Sequence, residues 1–182
     1  MKTNVAKIVS GSFLLLRSLF WTMLLPGTVT LYIPYLIVTR WYPTMLGPWN
    51  VVQLLSLIPI VLGAAILLHC IWGFAVIGRA TLSPLDAPRH LVVQGLYRYV
   101  RNPMYVGVLM ILIGEALLFI SVPLIVYAMG FFALVNLFII FYEEPTLRRQ
   151  FGASYERYCH AVGRWLPGRP FNEADGAAEA DL

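Results

Sequence analysis

Between residues 94 and 107 the chain reads Gln-Gly-Leu-Tyr-Arg-Tyr-Val-Arg-Asn-Pro-Met-Tyr-Val-Gly, a polar loop with two arginines running into an apolar helix without a spacer. Asn102 suits a helix N-cap, and Pro103 suits the first helical position, where its missing N–H costs nothing. The free N–H groups of that helix and the positive end of its dipole then lie beside Arg98 and Arg101, an arrangement that holds an anion well. Further along, Glu143-Glu144 supplies adjacent carboxylates and Arg164 a late guanidinium. Carboxylates bind ammonium and hydroxyl groups or accept a proton, and arginine pairs with a carboxylate through two parallel hydrogen bonds. The set fits a place where a charged, soluble cofactor meets an apolar substrate.

The composition says what surrounds these residues. Of 182 residues, 59% are apolar and 12% charged, against roughly 25% charged in an ordinary globular domain. A soluble domain of this size could not hide so much apolar surface, so an all-α integral membrane protein is expected. The net charge of +4 does not point to nucleic acid, because the basic residues flank apolar runs and form no stripe; they read as orientation signals. His69, His90 and His160 are scattered singly, so no metal site is expected. Cys70 lies in an apolar run and Cys159 in a polar one, which makes a disulfide between them improbable.

In chain order, the run from Ser12 to Thr39 is too long for a signal peptide and reads as a first transmembrane helix, kinked at Pro26-Gly27 and Pro34. Arg17 is close enough to its start to snorkel. Trp41, Tyr42 and Trp49 look like an interfacial aromatic belt. A second helix is expected over about Val51 to Ile77, bent at Pro59, with Gly63, Ala64, Ala65 and Gly73 offering close packing. Its polar exceptions, Gln53 and His69, read as hydrogen-bonded packing groups. Residues 79 to 101 form the longest polar stretch, in which Pro84 and Pro88 stop any helix. A third span over Asn102 to Ile120 and a fourth over Leu124 to Tyr142 make a tight hairpin, and Glu143-Glu144-Pro145 is expected to end the membrane part abruptly. From Thr146 to Val162 the pattern turns amphipathic, with Leu147, Phe151, Tyr155, Tyr158 and Val162 on one side and Gly152 as a weak point. The tail after Pro167 has no period and is expected to be disordered.

The expected organisation is thus about four transmembrane helices plus a C-terminal amphipathic cytoplasmic helix: 1–78 for the first two helices, 79–167 for the core and 168–182 for the tail. Such a topology puts both termini on one side together with Lys2, Lys7, Arg79, Arg89, Arg98, Arg101, Arg148, Arg149, Arg157, Arg164 and Arg169, leaving Arg40 on the other. The basic side faces the cytoplasm, whether the membrane is a cell inner membrane or the endoplasmic reticulum. Splitting the first run at Pro26-Gly27 would give a fifth span and spoil the bias. Loop parity then brings the 94–105 segment, Glu143-Glu144 and the end of the C-terminal helix to one membrane surface.

Gly95-Leu96-Tyr97, Arg101-Asn102-Pro103-Met104-Tyr105-Val106-Gly107, Glu143-Glu144 with Leu147, Phe151-Gly152, Tyr155 and Tyr158, and Arg164-Trp165-Leu166-Pro167 together resemble the isoprenylcysteine carboxyl methyltransferase family. Its broader relatives are the phospholipid N-methyltransferases. The likeness spans roughly residues 80 to 167, and the first two helices carry no signature. It implies a helical membrane enzyme using S-adenosylmethionine, which the segment Gln94, Gly95, Tyr97, Arg101, Asn102, Pro103 and Tyr105 wraps together with Glu143 and Glu144. Asn102 stands where the family motif has His, and Leu96 where Pro is common; Asn can cap and hydrogen-bond but does not titrate.

The residue chemistry is compatible with that implication. The carboxylate of S-adenosylmethionine suits Arg101 or the helix N-terminus, its ribose and ammonium suit Glu143 or Glu144, and its adenine can stack on Tyr97 or Tyr105. A prenylcysteine-type carboxylate acceptor, the closest to the resemblance, needs only a positive group to hold it, and Arg164 is the candidate. A phospholipid or other lipid amine must lose a proton, and Glu143 or Glu144 is then the base. Glu115, the only acid within a span, shares a stripe with Tyr105, Val108 and Leu112; these either line an acceptor cavity or pack the helix, with Glu115 bonding a neighbour. Plainer readings stand beside these. Arg98 reads first as a topology anchor, Arg164 could bind headgroups, Glu144 could pair with Arg148 one helical turn on, and Tyr97 and Tyr105 could be interfacial aromatics. Ranked below the enzyme are a non-catalytic membrane scaffold and a nicotinamide-dependent, reductase-like protein.

Overall fold

A computed structural model describes residues 23–41, 49–76, 93–168 and 170–171. The expectations for Lys2, Lys7, Arg17, Tyr42, Arg79, Pro84, Pro88, Arg89, His90, Arg169 and the acidic tail lie outside the described residues. Within them the chain is helical, and its one extended pairing is an isolated parallel bridge between Val100 and Gly163.

The first described segment is a wide π-helical coil, Met23–Tyr32, with Pro26 inside it, leading into α1, Ile33–Trp41. Thr30 Oγ1 donates to the carbonyl of Pro26 at 2.7 Å, a bond a hydroxyl makes readily in an apolar helix. Next comes α2, Val51–Val76. Asn50 and Gln53 cap it reciprocally, each side-chain oxygen accepting from the other's backbone N–H. Gln53 Nε2 also donates to the carbonyl of Leu118 at 2.9 Å, satisfying an end group of the neighbouring helix.

That neighbour, α3, Pro103–Leu118, lies against α2 along its length. Glycines let the two backbones meet: a Cβ on Gly63 would come within 2.5 Å of the carbonyl oxygen of Gly107, and one on Gly107 within 2.9 Å of that of Gly63. Such seams are how helices associate in lipid, where apolar side chains gain little by leaving an equally apolar solvent. Ser121 then caps α4, Val122–Phe138, by accepting from the N–H of Leu124, which closes the tight hairpin expected there. Leu67, Val108, Ile111, Leu112 and Ala128 form the core between α2, α3 and α4. Tyr127 ties α4 to the first segment by donating to the carbonyl of Val29.

Two helices, Val51–Gly73 and Val122–Phe151, are long and apolar enough to cross a membrane. Their outer faces expose Leu55, Val61, Leu68, Met129, Leu134 and Phe141, an apolar surface of the kind that faces lipid or a protein partner. The third expected span is shorter: α3 has 16 residues, framed by Pro103 and the turn before Ser121.

One boundary differs from expectation. Glu143-Glu144-Pro145 does not end the fourth helix. A π-turn, Ile139–Glu143, widens the coil, and the chain continues into α5, Glu144–Phe151, with Pro145 in its first turn. Widening relieves the clash that proline would impose on a regular α-helix. The single amphipathic helix expected from Thr146 to Val162 is instead two, α5 and α6, Ala153–Ala161, separated at Gly152. Gly152 has φ +52°, where a side chain is disfavoured. The apolar stripe survives the break, because Tyr155, Tyr158 and Val162 bury together with Leu147, Phe151 and Phe171 around them.

Candidate functional site

The site forms where three stretches of chain meet at one end of the bundle. The first is the loop before α3. Gly95 opens a 3-10 turn, Gly95–Arg98, in the left-handed region at φ +57°. A Cβ there would also lie 3.0 Å from the side-chain Nε2 of His69 in α2, so the backbone conformation favours glycine and the space beside it is tight. The second stretch is the junction of the π-turn with α5, which delivers Glu143 and Glu144 on successive positions. The third is the C-terminal segment after α6, which runs beside the loop: Arg101 N–H donates to Gly163 O, Gly168 N–H to Tyr99 O, and Phe171 N–H to Arg98 O, each at 2.9 Å.

Glu144 is the centre of this junction. It is 6% exposed. Its Oε1 accepts from Arg164 Nε at 2.8 Å and pairs with Arg101 at 3.2 Å. Arg148, one turn along α5, approaches its other oxygen at 3.9 Å from a half-exposed position. Two largely buried guanidiniums therefore share one carboxylate, leaving a surplus of positive charge. Arg101 also donates to the thiol of Cys159 at 2.7 Å, and its Nε is buried without a hydrogen-bond partner. A buried charged donor left unmade is expensive. The arrangement is thus primed for a further anionic group.

Glu143 points elsewhere. It accepts from the Tyr105 hydroxyl at 3.3 Å, and among the described residues no arginine pairs with it. Tyr97 is half-buried beside it. Burial first, and then the neighbouring Cys70, Glu143, Tyr158 and Tyr105, hold its phenol well above the ordinary range, so it remains a neutral donor. Tyr158 donates to the carbonyl of Tyr97 at 2.6 Å and fixes the 3-10 turn from the C-terminal side.

Asn102 occupies the N-cap position and Pro103 the first turn of α3, as their types require, but the Asn102 side chain does not cap. With φ −124° and ψ +53° its amide turns away from the helix and donates to the carbonyl of Arg164 at 3.3 Å. It fastens the C-terminal segment and leaves the helix N–H groups to other partners. Gln94 precedes the turn and accepts through its carbonyl from Tyr97 N–H. Arg98 donates to Phe171 O, a structural tie of the same segment.

The stripe along α3 divides. Tyr105 belongs to the junction, whereas Val108 and Leu112 are core residues, 4% and 1% exposed. They pack with Leu67 and Ala128 in the core. Glu115 is partly exposed farther along, with its Oε2 buried and unpartnered.

Cys159 and Asn136 take part in the site's wiring and carried no functional signal in the sequence, whereas Tyr158 stood out through the amphipathic stripe and the family resemblance. Cys70 and Cys159 are both free thiols.

A family model described as phospholipid methyltransferase matches residues 51–154, more than half of the chain. The match includes α2, which lies outside the motifs quoted above, and stops before Arg164. No curated protein and no solved structure matches the chain.

Proposed function

This chain belongs to the phospholipid methyltransferase family, and we propose that it methylates a lipophilic acceptor at the membrane surface with S-adenosylmethionine as donor. The family makes it a membrane methyltransferase; the donor, the acceptor and the residue roles are the proposal. The observation that carries it is the buried Arg101–Glu144–Arg164 cluster, a positive surplus next to a carboxylate that no arginine pairs with among the described residues. That combination matches an amino acid end bearing both a carboxylate and an ammonium.

In this reading Arg101, with its spare Nε, and the N-terminus of α3 at Asn102-Pro103 hold the cofactor carboxylate. Glu143 takes the ammonium or ribose, and Tyr97 and Tyr105 flank the adenine, with Gln94 and Gly95 closing the loop. Glu144 orients Arg101 and Arg164. S-adenosylmethionine brings an already electrophilic methyl group, so the protein's work is alignment and exclusion of water. The basic end of the bundle faces the cytoplasm, where the donor is found.

Two acceptors fit, each with its own support. A phospholipid or other lipid amine agrees with the family matched, and whichever of Glu143 and Glu144 is not engaged by the donor is then the group that takes its proton. A prenylcysteine-type carboxylate agrees with the Arg164-Trp165-Leu166-Pro167 segment, and Arg164 then holds it without any base. Glu115 stands apart from both as a candidate for the deeper acceptor wall.

Titration calorimetry with S-adenosylhomocysteine in lipid nanodiscs tests the donor. Binding by the wild type, weakened at least tenfold in Arg101→Ala and Glu144→Ala, is expected; no heat from the wild type would end the proposal. Transfer of labelled methyl groups into lipid extracts, set against prenylcysteine analogues, decides the acceptor.

A further inference from the structure

The C-terminal segment grips the helical bundle twice. Arg164 reaches Glu144 at the start of α5, and the next residue, Trp165, reaches back to α4. Its indole N–H donates to Asn136 Oδ1 at 3.2 Å, and its ring rests on Phe132 with centroids 5.1 Å apart. Asn136 is held ready for this: its own amide donates to the carbonyl of Phe132 one turn earlier, at 3.0 Å, leaving the oxygen for tryptophan. An asparagine in α4, otherwise almost wholly apolar, is unfavourable for a helix facing lipid. Its side chain finds its partner on the segment that carries Arg164.

We infer that Asn136 and Trp165 are positioning residues that set the register of residues 163–168 and thereby place the Arg164 guanidinium on Glu144. The inference rests on the reading of that cluster as the donor site. The backbone bonds from Arg101 to Gly163 and from Gly168 to Tyr99 hold the segment beside the loop. They belong to the main chain and do not select how far the segment leans toward α4. The indole does, because it is the contact on the α4 side next to Arg164.

Asn136→Leu and Trp165→Phe test this, with the double variant. Leucine makes α4 uniformly apolar and phenylalanine keeps the ring on Phe132, so neither threatens folding. Each is expected to weaken S-adenosylhomocysteine binding about threefold to tenfold, the effect of one lost hydrogen bond. The donor KM should rise while kcat stays near the wild type and the melting temperature of Asn136→Leu does not fall. The double variant should be no worse than the worse single one. Glu156→Gln, at an exposed position on α6, should change nothing.

Amide hydrogen exchange of residues 163–168, measured without any ligand, should speed up in both single variants. Unchanged exchange overturns the inference even if the wild type binds no donor, in which case the functional proposal falls separately. Faster exchange with unchanged donor affinity in a wild type that does bind overturns the positioning role. A melting-temperature loss that accounts for the whole binding loss does so too.

Discussion

Arg101 and Glu144 lie 3.2 Å apart although one precedes the α3–α4 hairpin and the other follows it. The hairpin turns back on itself at Ser121, so its two open ends come together, and each end carries one member of the pair. The C-terminal segment then adds Arg164 from a third direction. One carboxylate is thus held by two guanidiniums from separate parts of the chain.

Glu144→Gln leaves Arg101 and Arg164 buried without their shared counter-charge. Breaking a buried pair by removing one partner costs about 3–5 kcal/mol, and the two arginines would be expected to repel. Loss of thermal stability and of donor binding together is the expected outcome. Arg148→Ala is the contrast: its pairing is long and half-exposed, and its loss should change stability by no more than about 0.5 kcal/mol. Melting of both variants in the same nanodiscs makes the comparison; equal losses would contradict the geometry.

Gly63→Ala and Gly107→Ala each place a methyl group against the facing backbone, at 2.5 Å and 2.9 Å. Backbone cannot swing aside as a side-chain tip does, so each should cost about 1–3 kcal/mol and lower the melting temperature. Gly130→Ala meets nothing within 4 Å and should be neutral or stabilising, since alanine is the better helix former.

Gly95→Ala combines a left-handed φ with a contact 3.0 Å from His69. The backbone strain alone is roughly 1–2 kcal/mol. Because the loop is local, the expected result is a modest fall in melting temperature with a larger fall in donor affinity, read by calorimetry. His69→Ala should remove the steric part and leave the conformational part.

Tyr158 offers a pH test. Burial, opposed by Arg101, raises its phenol above the ordinary value, so the folded state favours the neutral form. The stability this contributes is whole below the unfolded pKa of about 10 and is lost as pH climbs past it. Tyr158→Phe should flatten part of that alkaline loss while giving up the bond to Tyr97 O. Melting curves between neutral and strongly alkaline pH show whether it does.

The amino-acid order by itself determined the membrane class, the helical pattern, the hairpin and the residues worth suspecting. Long apolar runs and the scarcity of charge leave lipid as the solvent, and lipid permits little backbone besides helix. It also marked Gly152 as a break point and the stripe from Leu147 to Val162 as one face, since both follow from local conformational and apolar preferences. Tertiary structure decided the rest. That Pro145 would be absorbed by a π-turn, that Asn102 would turn from its helix to Arg164, and that Val108 and Leu112 would pack the core depend on what lies across the fold. So did the choice of Glu144 over Glu143 as the arginine partner: two adjacent carboxylates have the same local chemistry, and only the direction in which the widened helix aims each of them tells them apart.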